Sequence, residues 1–295
     1  MIKKMNLFFL ILLVFLMPLT MLCSVFLIEA LGSYIISVSF LYEICLFILM
    51  YTFLKMNRLI FAEVISIRKT TRKNLLLSVC AGLLVTALGL LWVRLCLKLD
   101  LFSGQANEPG MDIYTTVFAA VFLAPVIEKL LFRGVLWSIL QENKGTATAV
   151  IVTTVYFVFL HLTLNNAFSA ILIGICGSMF ILFTGSIIPS IVIHLLNNLL
   201  VTILGYSDIM HLPIEKLDSI LTMSSLLILL VIFAILLALV MFYGFFVNKE
   251  VVMKNVKTYQ PIPKVIDRYS IAILCFWMIY MLSLIHISEP TRRSY

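Results

Sequence analysis

Residues Ser186–Leu204 read SIIPSIVIHLLNNLLVTIL, a segment apolar and long enough to cross a bilayer as a helix, which takes about 20 residues. Its middle nevertheless contains His194 and Asn198. Polar side chains at this depth cost free energy unless they face a protein interior or a wet cavity, so by default they mark a functional site. The same pattern recurs at Glu128 and at His161, each within another apolar segment. The sequence therefore predicts membrane helices that carry a polar site.

The composition is that of an integral membrane protein. The chain is 63% hydrophobic and 12% charged, whereas a soluble domain is about 45–50% apolar and about 25% charged. We predict an all-α fold, a polytopic transmembrane helical bundle of about eight to nine spans. The predicted spans are Asn6–Ile28, Tyr34–Leu54, Leu75–Leu97, Ile113–Leu140, Ala147–Leu162, Ala167–Phe183, Ser186–Leu204, Leu221–Val247 and Tyr269–Ile287.

Loop charges predict the orientation of the bundle. The net charge is +7, and basic residues concentrate before the first span, after the second and after the eighth. The loops before the fourth and eighth spans are acidic; they contain Asp100, Glu108 and Asp112, and Asp208, Glu215 and Asp218. Under the positive-inside rule the N-terminus, the basic loops and the Gln141–Gly145 turn are cytoplasmic. The rule accounts for the positive charge without a nucleic-acid partner, so the expected partner is the lipid bilayer.

The chain divides into three predicted regions. Residues 1–110 form N-terminal transmembrane helices with a basic cytoplasmic loop, residues 111–204 form the helical core that contains the polar site, and residues 205–295 form C-terminal transmembrane helices. Within the first region, residues 59–74 are interpreted either as an amphipathic helix on the inner membrane surface or as an ordinary loop. From about Ser283 the tail reads SLIHISEPTRRSY and resembles translated adapter sequence, so we assign it no function.

Spacing along the chain brings the polar residues to one depth. Glu128 and His161 lie at similar distances on either side of the Gln141–Gly145 turn, so they face each other in an antiparallel hairpin, about 20 Å from the turn. His194 and Asn198 are spaced i, i+4 and share one helix face. A single histidine or asparagine in a span is usually a hydrogen-bonding contact between helices. Four polar residues at matching depth favour a site in the inner half or middle of the membrane.

Two chemical schemes fit these residues, and both hydrolyse an amide bond. In the first, Glu128 is a general base that takes a proton from water, and a histidine and the Asn198 amide stabilise the oxyanion. In the second, Glu128, His161 and His194 hold a divalent metal such as zinc. No cofactor is certain from the sequence. Two neighbouring cations, Lys129 and Arg133, either neutralise Glu128 or extend to the inner interface. Glu43 is a weaker candidate.

These motifs resemble those of the CPBP family of intramembrane endopeptidases, which includes C-a-a-X prenyl proteases, bacteriocin-processing and self-immunity proteins and the Abi group. The family pattern is Glu-Glu-x-x-x-Arg, then Phe-x-x-x-His, then His-x-x-x-Asn. The matching positions are Glu128, Lys129, Arg133, Phe157, His161, His194 and Asn198. The resemblance implies a proteolytic site open to the cytoplasm. Glu128 activates water, His161 and His194 assist or bind metal, Asn198 stabilises the oxyanion, and Arg133, Lys129 and Phe157 support them.

One position departs from the family pattern, because Lys129 stands where the family has a second glutamate. A lysine there could pair with Glu128 and weaken it as a base, or displace a cation. Three functions therefore stay open. The first is a peptidase for membrane-associated peptides or proteins, such as a bacteriocin leader or a lipidated C-terminus. The second is a non-catalytic binding or bacteriocin-immunity protein. The third is a transporter or proton relay, although no repeated hydropathy pattern supports it.

Overall fold

The computed structural model describes residues 1–16, 38–99, 113–161, 164–205, 221–258 and 267–287, and every regular element in these ranges is helical. The predicted all-α class is confirmed for them. Several predicted features lie outside the described residues: positions 17–28 and 34–37 of the first two spans, the acidic loops at 100–112 and 208–218, and the tail from position 288. Positions 283–287 of that tail continue the last helix.

From the second predicted span onward, the described helices follow the predicted spans to within a few residues. The α-helices are α1 (Ile2–Ile11), α2 (Val38–Met56), α3 (Phe61–Val64), α4 (Arg72–Lys98), α5 (Ile113–Phe118), α6 (Ala124–Lys129), α7 (Trp137–Lys144), α8 (Thr146–Leu160), α9 (Leu164–Thr184), α10 (Ile188–Gly205), α11 (Met223–Val247), α12 (Lys249–Asn255) and α13 (Arg268–Ile287). Three π-helical segments accompany them: Leu12–Leu16, Ala119–Leu123 and Leu130–Leu136. Residues 113–144 are helical without a break, and we call this run the glutamate helix.

Several of these helices are long and apolar enough to cross a membrane. Among the described residues the spanning candidates are Ser39–Met56, Arg72–Lys98, Asn166–Thr184, Ile188–Gly205 and Met223–Val247. Two shorter apolar helices, Thr146–Leu160 and Arg268–Ile279, accompany them. These helices indicate a multi-pass membrane protein. The number of spans, predicted as about eight to nine, stays a prediction, as does the cytoplasmic position of the N-terminus.

The glutamate helix changes its hydrogen-bonding pattern around Pro125. Inside a helix proline has no N–H to donate, and its ring clashes with the carbonyl four residues earlier. Directly before Pro125, the Ala119–Leu123 segment is π-helical, and the Ala124 N–H donates to the Ala119 carbonyl, the spacing of a π-helix. The π-helical segment Leu130–Leu136 begins directly after Lys129. The α-helical piece that contains Glu128 is therefore flanked by wider π-helical winding on both sides.

The interior is built where helices approach closely through small residues. Helix α4 packs along α10, and α9 packs against α4, α8 and α10. A Cβ added at Gly82 of α4 would lie 3.3 Å from the Ile193 Cα of α10, and one added at Gly177 of α9 would lie 2.3 Å from the Ser190 Oγ of α10. Small residues allow such contacts between membrane helices. They bring α10, which contains His194, into the centre of the bundle.

The segment after α2 is a loop and not the surface helix considered above. Between α2 and α4 only α3 is helical, and the chain then runs extended to Thr71, whose side chain caps α4. The interpretation of residues 59–74 as an amphipathic helix is therefore wrong, because this segment bonds to the turn before α10. The Ile187 N–H donates to the Ser66 carbonyl (3.0 Å), and the Ser66 hydroxyl donates to the Gly185 carbonyl (2.6 Å).

Candidate active site

Three helical elements bring their ionisable side chains together in the centre of the bundle. Glu128 comes from α6, His161 directly follows α8, and His194 comes from α10. One ligand-type atom of each residue lies within 4.8 Å of the corresponding atoms of the other two. Glu128 and His161 are brought together by the antiparallel hairpin of the glutamate helix and α8, which turns at Gly145 with a φ of 84°. Glycine adopts this left-handed conformation without steric cost.

Glu128 and His194 form the most buried part of this group. The distance from Glu128 Oε2 to His194 Nδ1 is 3.7 Å, and the two residues are 7% and 1% exposed. This distance is too long for a hydrogen bond. Within the described part of the chain, neither of the two atoms has a hydrogen-bond partner. Both remain available to a third group that would bind between them.

His161 is oriented by the backbone of its own helix. Its Nδ1 lies 2.9 Å from the Phe157 carbonyl oxygen. Since a carbonyl only accepts hydrogen bonds, Nδ1 carries a proton, and in the neutral imidazole the lone pair is then on Nε2. The Phe157 ring packs against both imidazoles, with centroid distances of 4.6 Å to His161 and 5.5 Å to His194. Phe157, which the sequence suggested as a supporting residue, therefore packs against both histidines of the site.

Lys129 is buried beside the site without pairing with Glu128. It is 0% exposed, and its Nζ lies 3.5 Å from the centroid of the Phe157 ring, a cation–π contact. Over the described residues, Nζ has no hydrogen-bond partner and makes no salt bridge with Glu128. Its charge still acts on Glu128 and on His194. The ion pair that the sequence left open is therefore not formed, and Lys129 does not extend to the membrane interface.

Arg133 holds the glutamate helix to its neighbours. Its guanidinium donates to the Thr153 hydroxyl, to the Thr154 hydroxyl (3.3 Å) and to the Gly174 carbonyl (2.6 Å). These partners lie on α8 and α9, and Arg133 is 1% exposed. Both interpretations from the sequence, neutralising Glu128 and extending to the interface, are wrong for this residue. The sequence analysis did not predict Thr153 and Thr154 as partners of Arg133, although two adjacent hydroxyl residues in an otherwise apolar helix indicate a polar contact.

Asn198 contacts the glutamate helix at a point earlier in the chain than Glu128. Its Nδ2 donates to the Ala120 carbonyl at 2.8 Å, and its Oδ1 accepts a hydrogen bond from Asn197 Nδ2 at 3.2 Å. His194 approaches Glu128, and one turn later Asn198 reaches Ala120, so α10 and the glutamate helix are antiparallel here. Asn198 is thus on the same side of α10 as His194, as the i, i+4 spacing predicts.

Glu43 adds a second carboxylate to this region. It is 3% exposed, and its helix, α2, packs against α6. Among the described residues its Oε2 has no hydrogen-bond partner, and its charge interacts with that of Glu128. The sequence ranked Glu43 as a weak candidate because nothing in a linear chain indicates that α2 lies against α6.

The donor set of the site fits a divalent transition metal. Two imidazoles and one carboxylate are a common zinc ligand set, and tetrahedral zinc with bonds of about 2.1 Å places its ligand atoms about 3.4 Å apart. Glu128 Oε2 and His194 Nδ1, 3.7 Å apart and both free of hydrogen bonds to the described residues, are close to that spacing. His161 Nε2 has its lone pair available as the third ligand. The charge of the nearby Lys129 opposes a cation at this point.

Comparison with known proteins identifies the region that holds this site. Residues 111–200 match the Rce1-like family model, described as type II CAAX prenyl endopeptidase Rce1-like. The match confirms the family resemblance inferred from the motifs, and it includes Glu128, His161, His194 and Asn198. No curated protein matches the chain. No solved structure matches it either.

Proposed function

We propose that this chain, whose residues 111–200 match the Rce1-like endopeptidase family, is an intramembrane peptidase that hydrolyses peptide bonds of membrane-associated peptides or proteins. One observation supports the proposal above all others. Glu128 Oε2 and His194 Nδ1 lie 3.7 Å apart, buried and without hydrogen bonds to the described residues, and His161 is within 4.8 Å of both. Burial of such groups costs free energy that a purely structural role would not repay.

Glu128 is the proposed general base. It removes a proton from water as the water oxygen attacks the carbonyl carbon of the scissile bond, and then gives the proton to the departing amine. Glu128 Oε2 accepts no hydrogen bond from the described residues, so this oxygen is free for the transfer. Because Lys129 lies on Phe157 and not on Glu128, the base is not held in an ion pair with this lysine.

The other proposed site residues stabilise the negative charge that forms on the substrate and orient the reacting groups. The negative charge that develops on the substrate oxygen is stabilised by hydrogen-bond donors fixed before the reaction. The Asn198 amide has one N–H left after its bond to Ala120, and a histidine N–H is the second proposed donor. A zinc ion held by Glu128, His161 and His194 would supply a Lewis acid and an activated water. The match to a CAAX prenyl endopeptidase family model supports a membrane-associated peptide with a prenylated C-terminus as the proposed substrate. A bacteriocin leader is the alternative.

Peptidase activity of the purified protein in detergent tests the proposal. A quenched peptide library is incubated with wild type, with Glu128→Gln and with Glu250→Gln, an exposed carboxylate outside the site. General-base catalysis contributes about 10²–10⁴-fold, so Glu128→Gln is expected to lower turnover by at least about 100-fold, while Glu250→Gln leaves it unchanged. Near-normal turnover in Glu128→Gln would exclude Glu128 as the base. Repeating the assay with a chelator decides between the base and the metal scheme.

A non-catalytic binding or immunity protein is the second candidate function. It is favoured by one observation, the lysine at the second position of the glutamate motif. This function predicts that no peptide is cut by the folded wild type, and that protection or binding survives substitution of both Glu128 and His194. Loss of that function in a folded double variant would count against it.

A further inference from the structure

The Ala120 carbonyl lacks a backbone donor at the two usual positions. In an α-helix it would accept from the N–H of residue 124, and in a π-helix from that of residue 125. The Ala124 N–H donates to the Ala119 carbonyl, and Pro125 has no N–H. Neither residue 124 nor residue 125 therefore donates a backbone hydrogen bond to the Ala120 carbonyl. A carbonyl left unpaired inside a membrane bundle costs free energy.

Asn198 is the residue that satisfies this carbonyl. Its Nδ2 donates to the Ala120 oxygen at 2.8 Å, and its Oδ1 accepts from Asn197 Nδ2 at 3.2 Å. The two ends of an asparagine amide differ, because one is a pair of N–H donors and the other is an acceptor. A flipped amide would place oxygen against the Ala120 oxygen, and the two would repel each other. The free carbonyl thus determines which end of the amide faces the glutamate helix.

We propose that Pro125 is a positioning residue of the active site: by leaving the Ala120 carbonyl without a backbone donor, it fixes the Asn198 amide with its NH₂ group towards the glutamate helix. This inference rests on the proposed function, since it assigns a purpose to the orientation of a proposed oxyanion-stabilising amide. Of the two Nδ2 hydrogens, one is used by Ala120 and the other is left for the substrate oxygen.

The positioning role and a purely structural role of Pro125 predict different activities for the variant Pro125→Ala. Proline in a helix interior removes a hydrogen bond and destabilises the helix, so replacing it with alanine should keep or raise the melting temperature. If Pro125 mattered only for packing or winding, any effect of Pro125→Ala on turnover would be the same with and without the Asn198 amide. If Pro125 positions Asn198, turnover falls although the protein is at least as stable.

A kinetic double-mutant cycle tests the positioning. Loss of one oxyanion donor costs about 10²–10³-fold in kcat, so Asn198→Ala should lose about 100-fold. Pro125→Ala should lower kcat by about 10-fold with KM unchanged, because the amide is misoriented for part of the time and not removed. In the Asn198→Ala background, Pro125→Ala should cause no further loss, since there is no amide left to orient. Pro189→Ala, near the start of α10 where proline is tolerated, is the matched control and should leave kcat unchanged.

A stability cycle tests the hydrogen bond without any need for activity. With Pro125 present, Asn198→Ala leaves the Ala120 carbonyl unpaired, and the melting temperature should fall by about 2–4 °C. In the Pro125→Ala background a backbone N–H takes over, and the same substitution should lower the melting temperature by less than half of that amount. A chain that cuts no peptide but shows this pattern would contradict the proposed function while the Pro125–Asn198 relationship stands.

Certain outcomes overturn the inference. Equal stability losses for Asn198→Ala in the two backgrounds would show that Pro125 does not create the need for the amide. Multiplying kcat losses in the double variant would show that Pro125 acts by another route. Asn198→Asp supplies a test that leaves Pro125 in place, because a carboxylate cannot donate to the Ala120 carbonyl or to the substrate oxygen. Wild-type kcat in Asn198→Asp would overturn the positioning role.

Discussion

The Lys129 ammonium lies 3.5 Å from the centroid of the Phe157 ring, while Phe157 itself packs against His161 and His194. The aromatic ring therefore holds a buried cation on the edge of the site without bringing it onto Glu128. Cation–π contacts are worth about 2 kcal/mol or more when desolvated, which offsets part of the cost of burying a lysine. This arrangement explains how the glutamate motif accommodates a lysine at its second position.

Removal of the Lys129 charge should leave catalysis largely intact. We expect Lys129→Met to stay within about 10-fold of wild-type kcat/KM, because Lys129 makes no bond to Glu128 and general-base catalysis is worth far more. Its melting temperature should be unchanged or higher, because an unpaired buried charge is replaced by an apolar chain of similar length. Lys55→Met, which changes an exposed lysine at the end of α2, controls for a general charge effect. A 100-fold loss in Lys129→Met alone would assign Lys129 a direct part in the reaction.

Glu128 and His194 should act as one catalytic unit. Residues that work together in one step lose activity non-additively. Glu128→Gln and His194→Ala are each expected to reduce kcat by about 100-fold or more, and the double variant should be no worse than the poorer single variant. Single-turnover rates on the same peptide measure this. Losses that multiply would separate the two residues into independent steps.

Arg133 should matter for stability through its fork of hydrogen bonds. Hydrogen bonds to a charged group are each worth about 1.5–3 kcal/mol, and Arg133 makes bonds to Thr153, Thr154 and Gly174. Arg133→Met should therefore lower the free energy of unfolding by at least about 2 kcal/mol. Arg133→Lys should retain more of the free energy of unfolding than Arg133→Met but less than wild type, because an ammonium cannot donate hydrogen bonds in the planar arrangement of a guanidinium. Denaturant unfolding in detergent measures both, and a loss below about 0.5 kcal/mol in Arg133→Met would contradict the anchoring role.

A change at Gly174 should be repaired at Thr154. A Cβ at position 174 would lie 2.6 Å from the Thr154 Cγ2, so Gly174→Ala is expected to destabilise by about 1–3 kcal/mol, the range for overpacked interiors. Thr154→Ser removes that methyl group but keeps the hydroxyl that binds Arg133. The double variant should regain most of the stability lost in Gly174→Ala. If Thr154→Ser gives no recovery, the two helices do not meet at this point.

The sequence predicted the helices well because hydrophobic length is a local property. The predicted Leu75–Leu97 and Leu221–Val247 correspond to α4 and α11, which extend or shorten them by only a few residues. The structure of residues 59–74 was harder to predict, since a moderately apolar and basic segment is compatible with a surface helix as well as with a loop. Hydrogen bonds from the turn before α10 decided in favour of an extended chain. Those partners are far away in sequence and no periodicity reveals them.

The sequence by itself determined that apolar helical segments would contain Glu128, His194 and Asn198, with His161 at the end of another, and that His194 and Asn198 would share one helix face, because apolar length and i, i+4 spacing are set by residue order alone. The tertiary structure decided what each polar group touches. Lys129 packs on the Phe157 ring, and Arg133 donates hydrogen bonds to α8 and α9. Asn198 donates to the Ala120 carbonyl. The physical reason is that a buried polar group takes the partner that packing places within about 3 Å, and that partner belongs to another helix.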